Sequence, residues 1–248
     1  MRSLIGMEPG EQPYPQLDFE KEVQRAKWFK EDLEKGGWKP RFKASGRFDS
    51  WSKTFREEEV AVKVLFLFQD MPMPAEKFAE MIHPSKMETR TKWDDAFKDI
   101  EILETGHDGS IIVSTRVALS FPLTDRELVL FVSTTKEIDW YGKKAFAMFV
   151  KNASHPSKPV GGRGRVRATN GGNFYIVTPD EKEPENKCQV FGLTNNNYNG
   201  RLPNARMEWL VGRKAPKVFH KLQKSAIDGY IKYFKNKEVN SADQGQSI

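Results

Sequence analysis

Apolar residues recur at three- and four-residue steps near both ends of the chain and at alternate or adjacent positions through its middle. That contrast predicts helices flanking a β-rich body. From Leu17 to Lys35 the apolar positions Leu17, Val23, Ala26 and Phe29 sit among many charges, the pattern of a helix with a narrow buried stripe, stopped by Gly36-Gly37. Trp38 to Arg56 alternates imperfectly around Ser45-Gly46 and predicts two short strands. Val60 to Phe68, rich in β-branched residues and phenylalanine, predicts a buried strand ended by Pro72 and Pro74. Ala75 to His83 reads as a short helix with Phe78, Met81 and Ile82 on one side. Pro84 breaks it, and a second short helix runs from Lys86 to about Phe97.

Six further segments have strand composition: Ile100–Thr105, Ser110–Leu119, Leu128–Thr135, Lys143–Val150, Arg163–Val177 and Lys187–Thr194. Turn signals such as His107-Asp108-Gly109, Tyr141-Gly142 and Asn170-Gly171-Gly172 separate them, which favours an antiparallel meander. The clearest helix carries Val218, Phe219, Leu222, Ala226, Ile227, Tyr230, Ile231 and Phe234. A piece upstream, Met207 to Val211, joins it across Gly212 and Pro216, which are expected to bend or restart it. Residues 1–16 read as a flexible arm and 237–248 as a disordered tail, leaving 17–236 as a single domain. A long antiparallel sheet needs its apolar face covered, and the last helix is the large cover available. An α+β protein whose curved sheet grips that helix leaves a cavity between them.

Composition narrows the function. A chain of 248 residues buries roughly 70–75% of its unfolded surface, enough to build a cavity and still fold. One cysteine, Cys188, allows neither an internal disulfide nor a thiolate metal cluster. The start of the chain has no signal-peptide pattern, and Val60–Phe68, interrupted by Lys63, is too short to span a bilayer, so a cytoplasmic protein is expected. The net charge of +6 is spread among acids. Lys214, Lys217, Lys221 and Lys224 gather near the last helix, where an anionic membrane surface would attract them. The four histidines, His83, His107, His155 and His220, lack metal-ligand spacing, and no nucleophile-elbow or phosphate-loop motif occurs. No enzyme activity, metal or cofactor is therefore expected. Gly161-Gly162-Arg163-Gly164-Arg165 is a single basic run leading into a strand, and nucleic acid is not expected as a partner.

Five marks stand in order along the chain: Arg90-x-x-Trp93-Asp94; Phe121-Pro122 leading to Arg126-Glu127; His155-Pro156 to Pro159 followed by Arg165-Val166-Arg167-Ala168; Gly171-Gly172-Asn173-Phe174 to Pro179; and Asn199-Gly200-x-Leu202-Pro203. From Trp38 to Phe234 the chain resembles the START family of lipid-transfer domains. Two departures are plain: Glu127 stands where the family has aspartate, and Asn204-Ala205 replaces a tryptophan after the last turn. The resemblance implies a helix-grip (START/Bet v 1-like) fold with one lipid in a tunnel closed by the C-terminal helix.

It implies site residues too. Arg90 matches the arginine that holds a phosphate in phospholipid carriers and, with the acid matching Asp94, an amide-and-hydroxyl head in ceramide carriers. Arg90, Asp94, Asn173 and His83 are thus expected at the lipid head. Phe66, Trp93, Ile112, Val117, Leu130, Val132, Phe149 and Phe191 are expected along the cavity wall, and Leu222, Ile227 and Ile231 on the lid helix. Arg126 is expected to be structural, through a salt bridge with a nearby acid. The positions of the choline cage fall on Thr115, Leu128 and Gly171, none of them aromatic. The sterol-binding positions fall on Val132 and near Val113 or Ser114. The cargo expected is a phospholipid or another polar-headed lipid, carried by a monomer in transient contact with membranes. A sterol or carotenoid carrier or sensor, or a helix-grip enzyme acting on a hydrophobic substrate, is the alternative.

Overall fold

The computed structural model describes residues 17–44, 47–94, 100–117, 124–160, 166–199 and 204–235. The chain enters through α1 (Phe19–Lys35), capped by the Asp18 side chain, which accepts from the Lys21 backbone N–H at 3.1 Å. Next come β1 (Lys39–Ala44), β2 (Phe48–Thr54) and β3 (Val62–Met71), then α2 (Ala75–Ile82), a 3₁₀ turn at Pro84–Lys86 and α3 (Met87–Arg90). The middle of the chain forms β4 (Ile100–Thr105), β5 (Ile111–Val117), β6 (Arg126–Val132), β7 (Lys136–Trp140) and β8 (Lys143–Asn152). The short β9 (Val166–Arg167) and β10 (Thr169–Asn170) lead to β11 (Asn173–Pro179), β12 (Cys188–Thr194) and β13 (Asn196–Asn197). The chain then forms α4 (Asn204–Tyr230), which ends in a π-type turn at Ile231–Lys235.

The large sheet runs in the order β1-β2-β3-β12-β11-β8-β6-β5-β4, with β7 beside β8 and β9 parallel to β6; β10 and β13 form a separate two-stranded ladder. The long neighbours pair antiparallel. Both faces are covered, and strand alternation decides which residues go where. On β8, Met148 and Val150 join the core beneath α2 and α4, whereas Ala147 and Phe149 join the core under α1. On β11 the same split separates Tyr175 and Val177 from Phe174 and Ile176. The α1 stripe of Val23, Ala26 and Phe29 fills the second core with Trp38, as its spacing predicts. Glu22 fixes the register of α1 by pairing with Lys151 of β8 and with Arg25, which donates to the Gly172 carbonyl at 2.8 Å.

The α+β, helix-grip reading holds, with four local differences. β7 was not expected; its Lys136, Glu137 and Asp139 give it little apolar signal, and it pairs only with β8. The segment read as Arg163–Val177 divides into β9, β10 and β11. The second short helix is only one turn, α3, followed by a turn to Trp93. Finally, α4 is continuous through Gly212 and Pro216. Pro216 supplies no N–H to the carbonyl four residues earlier, and the remaining bonds of a long helix packed on β3 carry it across. The arm, the tail, the basic run Gly161–Arg165, Phe121–Leu123, Gly200–Pro203 and the helical reading beyond Asp94 lie outside the described residues.

Candidate functional site

A cavity of about 490 Å³ lies between α4 and the inner face of the sheet. Its wall consists of residues on five adjacent strands: Ile100 of β4, Val113 and Thr115 of β5, Leu130 and Val132 of β6, Met148 and Val150 of β8, and Asn173 and Tyr175 of β11. Val218, Phe219, Leu222 and Ser225 of α4 form the cover, with Lys221 at its edge, and Ile82, Pro84, Arg90 and Asp94 close one end. Apart from that end, most of the lining is aliphatic. Such a chamber suits a hydrocarbon, which gains about 0.8 kcal/mol per methylene removed from water.

The closed end is polar and tightly organised. Arg90 is 3% exposed and Asp94 5%. Arg90 Nε and Nη2 donate to Asp94 Oδ2 at 3.0 and 2.7 Å, and Nη1 donates to the Ile82 carbonyl at the end of α2. Burial lowers the Arg90 pKa, and the Asp94 charge opposes that shift. A buried charge of this kind persists only when paired, and here the pair is made within one helical turn. The guanidinium also lies 4.8 Å over the Trp93 ring. Asn173 Oδ1 accepts from the Asn195 backbone N–H at 2.8 Å, so this amide braces the turn after β12 as well as facing the cavity. Tyr175, two residues further along β11, also faces the cavity, and its ring meets Phe66 edge-on at 5.7 Å. Burial pushes its hydroxyl pKa up to about 12.

The structure therefore gathers Arg90, Asp94, Asn173, Leu130, Val132 and Leu222 at one cavity, as expected from the sequence. It places the other expected residues elsewhere. His83 lies outside: its Nε2 is 3.0 Å from the Ser133 carbonyl, and its Nδ1 is 2.7 Å from Ser85 Oγ. It ties the end of α2 to the sheet, and burial lowers its pKa. Phe149 and Phe191 point to the α1 face, and Ile112 is opposite in parity to the lining residues of β5. Val117 shares the lining parity but sits half-buried at the far end of β5, beyond the wall. Phe66 is core, its ring stacked on Phe219 of α4 at 4.2 Å. Trp93 wedges against α4, where a Cβ built on Gly229 would lie 2.6 Å from Trp93 Cγ. Ile227 packs on the inner core without lining the cavity, and Ile231 is 45% exposed.

Arg126 is structural, but carbonyls replace the expected acid. It donates to Tyr198 O, to Thr124 O and, at 3.3 Å, to Asn199 O, holding the segment that leads into α4. Sequence reasoning missed Tyr175, Met148, Val150 and Phe219. The available signal for the first was its spacing, two residues from Asn173 on the same strand.

Comparison with known proteins was made against this geometry. A family model described as the START domain matches residues 21–226. A curated relative, phosphatidylcholine transfer protein of Rattus norvegicus, is 24% identical over 139 residues, 56% of this chain. The match spans 62% of that protein's length. The crystal structure of human STARD10 superposes with a TM-score of 0.69 at 19% identity, covering 94% of this chain and 88% of that one. Human StAR-related lipid transfer protein 5 gives a TM-score of 0.63 at 18% identity, over 84% and 98% of the two chains. At these identities the superpositions establish likeness of fold. No helix among the described residues is long and apolar enough to cross a membrane.

Proposed function

The chain belongs to the START domain family, and we propose that it is a carrier that holds one polar-headed lipid in the cavity beneath α4 and does no chemistry on it. The observation that carries this reading is the lining itself: largely aliphatic walls from five strands that end on one buried ion pair. The walls take the tail, and the Arg90–Asp94 end with Asn173 takes the polar part. The name of the curated relative supports a phospholipid as the class of cargo. Of the positions that the family resemblance gives to a choline cage, Thr115 lines the cavity and offers no aromatic face to a quaternary ammonium.

Loading and release require α4 to lift from the sheet, and a membrane surface is where that exchange takes place. Lys217 and Lys224 are exposed on α4, and Val218 is 55% exposed at the cavity mouth. Each lysine held at an anionic surface contributes roughly 1 kcal/mol. The protein acts in the cytoplasm as a monomer in this reading.

Native mass spectrometry of protein purified from eukaryotic cells tests it. One lipid per chain is expected, and Leu130→Trp, which projects an indole into the chamber, should reduce that adduct while the fold survives. A chain that stays empty across lipid mixtures refutes the carrier reading.

A further inference from the structure

We propose that the Tyr175 hydroxyl is the group that reads the inner polar end of the cargo, and that this end is uncharged: a hydroxyl, an ester or an amide. The proposal rests on the cavity being the lipid site. It begins from what Arg90 has left to offer. All three of its nitrogens are engaged, two on Asp94 and one on the Ile82 carbonyl. The pair is electrically neutral as a unit. A guanidinium has five N–H groups, so a phosphate need not displace Asp94 to reach it, but it would bring a net charge into a corner where Arg90 and Asp94 already balance one another, and taking that charge out of water is costly. A phosphate therefore stays outside this corner, towards the mouth.

Tyr175 differs in each respect. It lines the cavity, yet its hydroxyl has no hydrogen-bond partner among the described residues. Phe66, itself fully buried, holds the ring edge-on and fixes where the hydroxyl points. Burial keeps the phenol protonated, so it offers one donor and an acceptor to an uncharged group. Asn173 lies beside it on the wall; its oxygen accepts from the Asn195 N–H, and its amide N–H groups can donate to the ligand. A buried hydroxyl without a partner is costly, and a ligand that satisfies it is preferred over one that leaves it unpaired.

The test compares two amphiphiles with the same tail: oleyl alcohol, whose head is a hydroxyl, and oleyl phosphate, whose head is a phosphate with no ester or hydroxyl beside it. Each is titrated into the full chain and into Tyr175→Phe, with binding read by displacement of a fluorescent fatty-chain probe. The wild type should prefer the alcohol, as it would the uncharged ester region of a phospholipid whose phosphate stays at the mouth. Tyr175→Phe should weaken that lipid about two- to tenfold, the loss of one neutral hydrogen bond, and leave the phosphate lipid unchanged. Equal weakening of both lipids, or a wild-type preference for the phosphate, overturns the role of Tyr175 while the carrier reading stands. Failure of both lipids to displace the probe from the wild type overturns the carrier reading as well.

Discussion

Gly229, in the last turn of α4, offers a perturbation whose sign is diagnostic. Replacing an interior helical glycine by alanine ordinarily stabilises a helix by about 1 kcal/mol. Here the new Cβ would sit 2.6 Å from Trp93 Cγ and 2.7 Å from Trp93 Cβ. Cβ is fixed by the backbone, so rotation about the Trp93 torsions can move Cγ but cannot clear the Cβ contact. Either α4 lifts or the turn carrying Trp93 retreats, and that turn also carries the Arg90–Asp94 pair. Overpacking of this kind costs roughly 1–3 kcal/mol. Net of the helical gain, Gly229→Ala is expected to lose up to about 2 kcal/mol. At roughly 2–4 °C per kcal/mol for a domain of this size, calorimetry should record a fall of up to about 8 °C. A Trp93→Ala background removes Cγ and the rest of the indole and keeps Cβ, so the contact is partly relieved and the two changes should depart from additivity by about 0.5–3 kcal/mol. A rise in melting temperature of Gly229→Ala on its own, or strict additivity with Trp93→Ala, would refute the wedge between Trp93 and the lid.

Two further outcomes follow from the same packing. A Cβ on Gly192 would lie 2.1 Å from Phe66 Cζ, so Gly192→Ala should drive the ring out of its stack on Phe219; chemical denaturation should show a loss of about 1–3 kcal/mol. Burial holds the His83 pKa below its usual 6.5, so the unfolded chain binds more protons than the folded one as pH falls through that value. Stability should therefore decline on acidification from about pH 6.5 downward, and His83→Gln should flatten that decline relative to wild type; His220, shifted in the same direction, stays in both proteins and cancels in the difference.

The helices were legible in the sequence because α1 and α4 each bury one stripe. The wall of the cavity was only half legible, and β8 shows why. Ala145, Phe146, Ala147, Met148, Phe149 and Val150 are apolar on both faces, because α1 covers one side of the sheet and α2 and α4 the other. Alternation then carries no polar marker of which face is which, so Phe149 and Phe191 were assigned to the wrong one. Asn173, expected from the family resemblance, offered a polar marker of the face on β11, which permitted a reading of Tyr175, two residues on, that was missed. Arg90 and Asp94 were expected together from the family resemblance, and nothing in the local pattern marked their pair as buried; the placement of His83 depended on contact with Ser133, fifty residues away in the chain.

The two-sided cover of the sheet sets the terms on which this cavity can change. Met148, Val150, Asn173 and Tyr175 answer to the cargo; Ala147, Phe149, Phe174 and Ile176, interleaved with them, answer to α1 and to folding. Substitutions of similar volume can retune the first set and leave the packing of the second intact. Insertions and deletions have no such freedom. One residue added within β11 would exchange its faces beyond that point, turning Phe174 and Ile176 into the chamber and Tyr175 against α1. Length along these strands should therefore be far more constrained than identity at the lining positions.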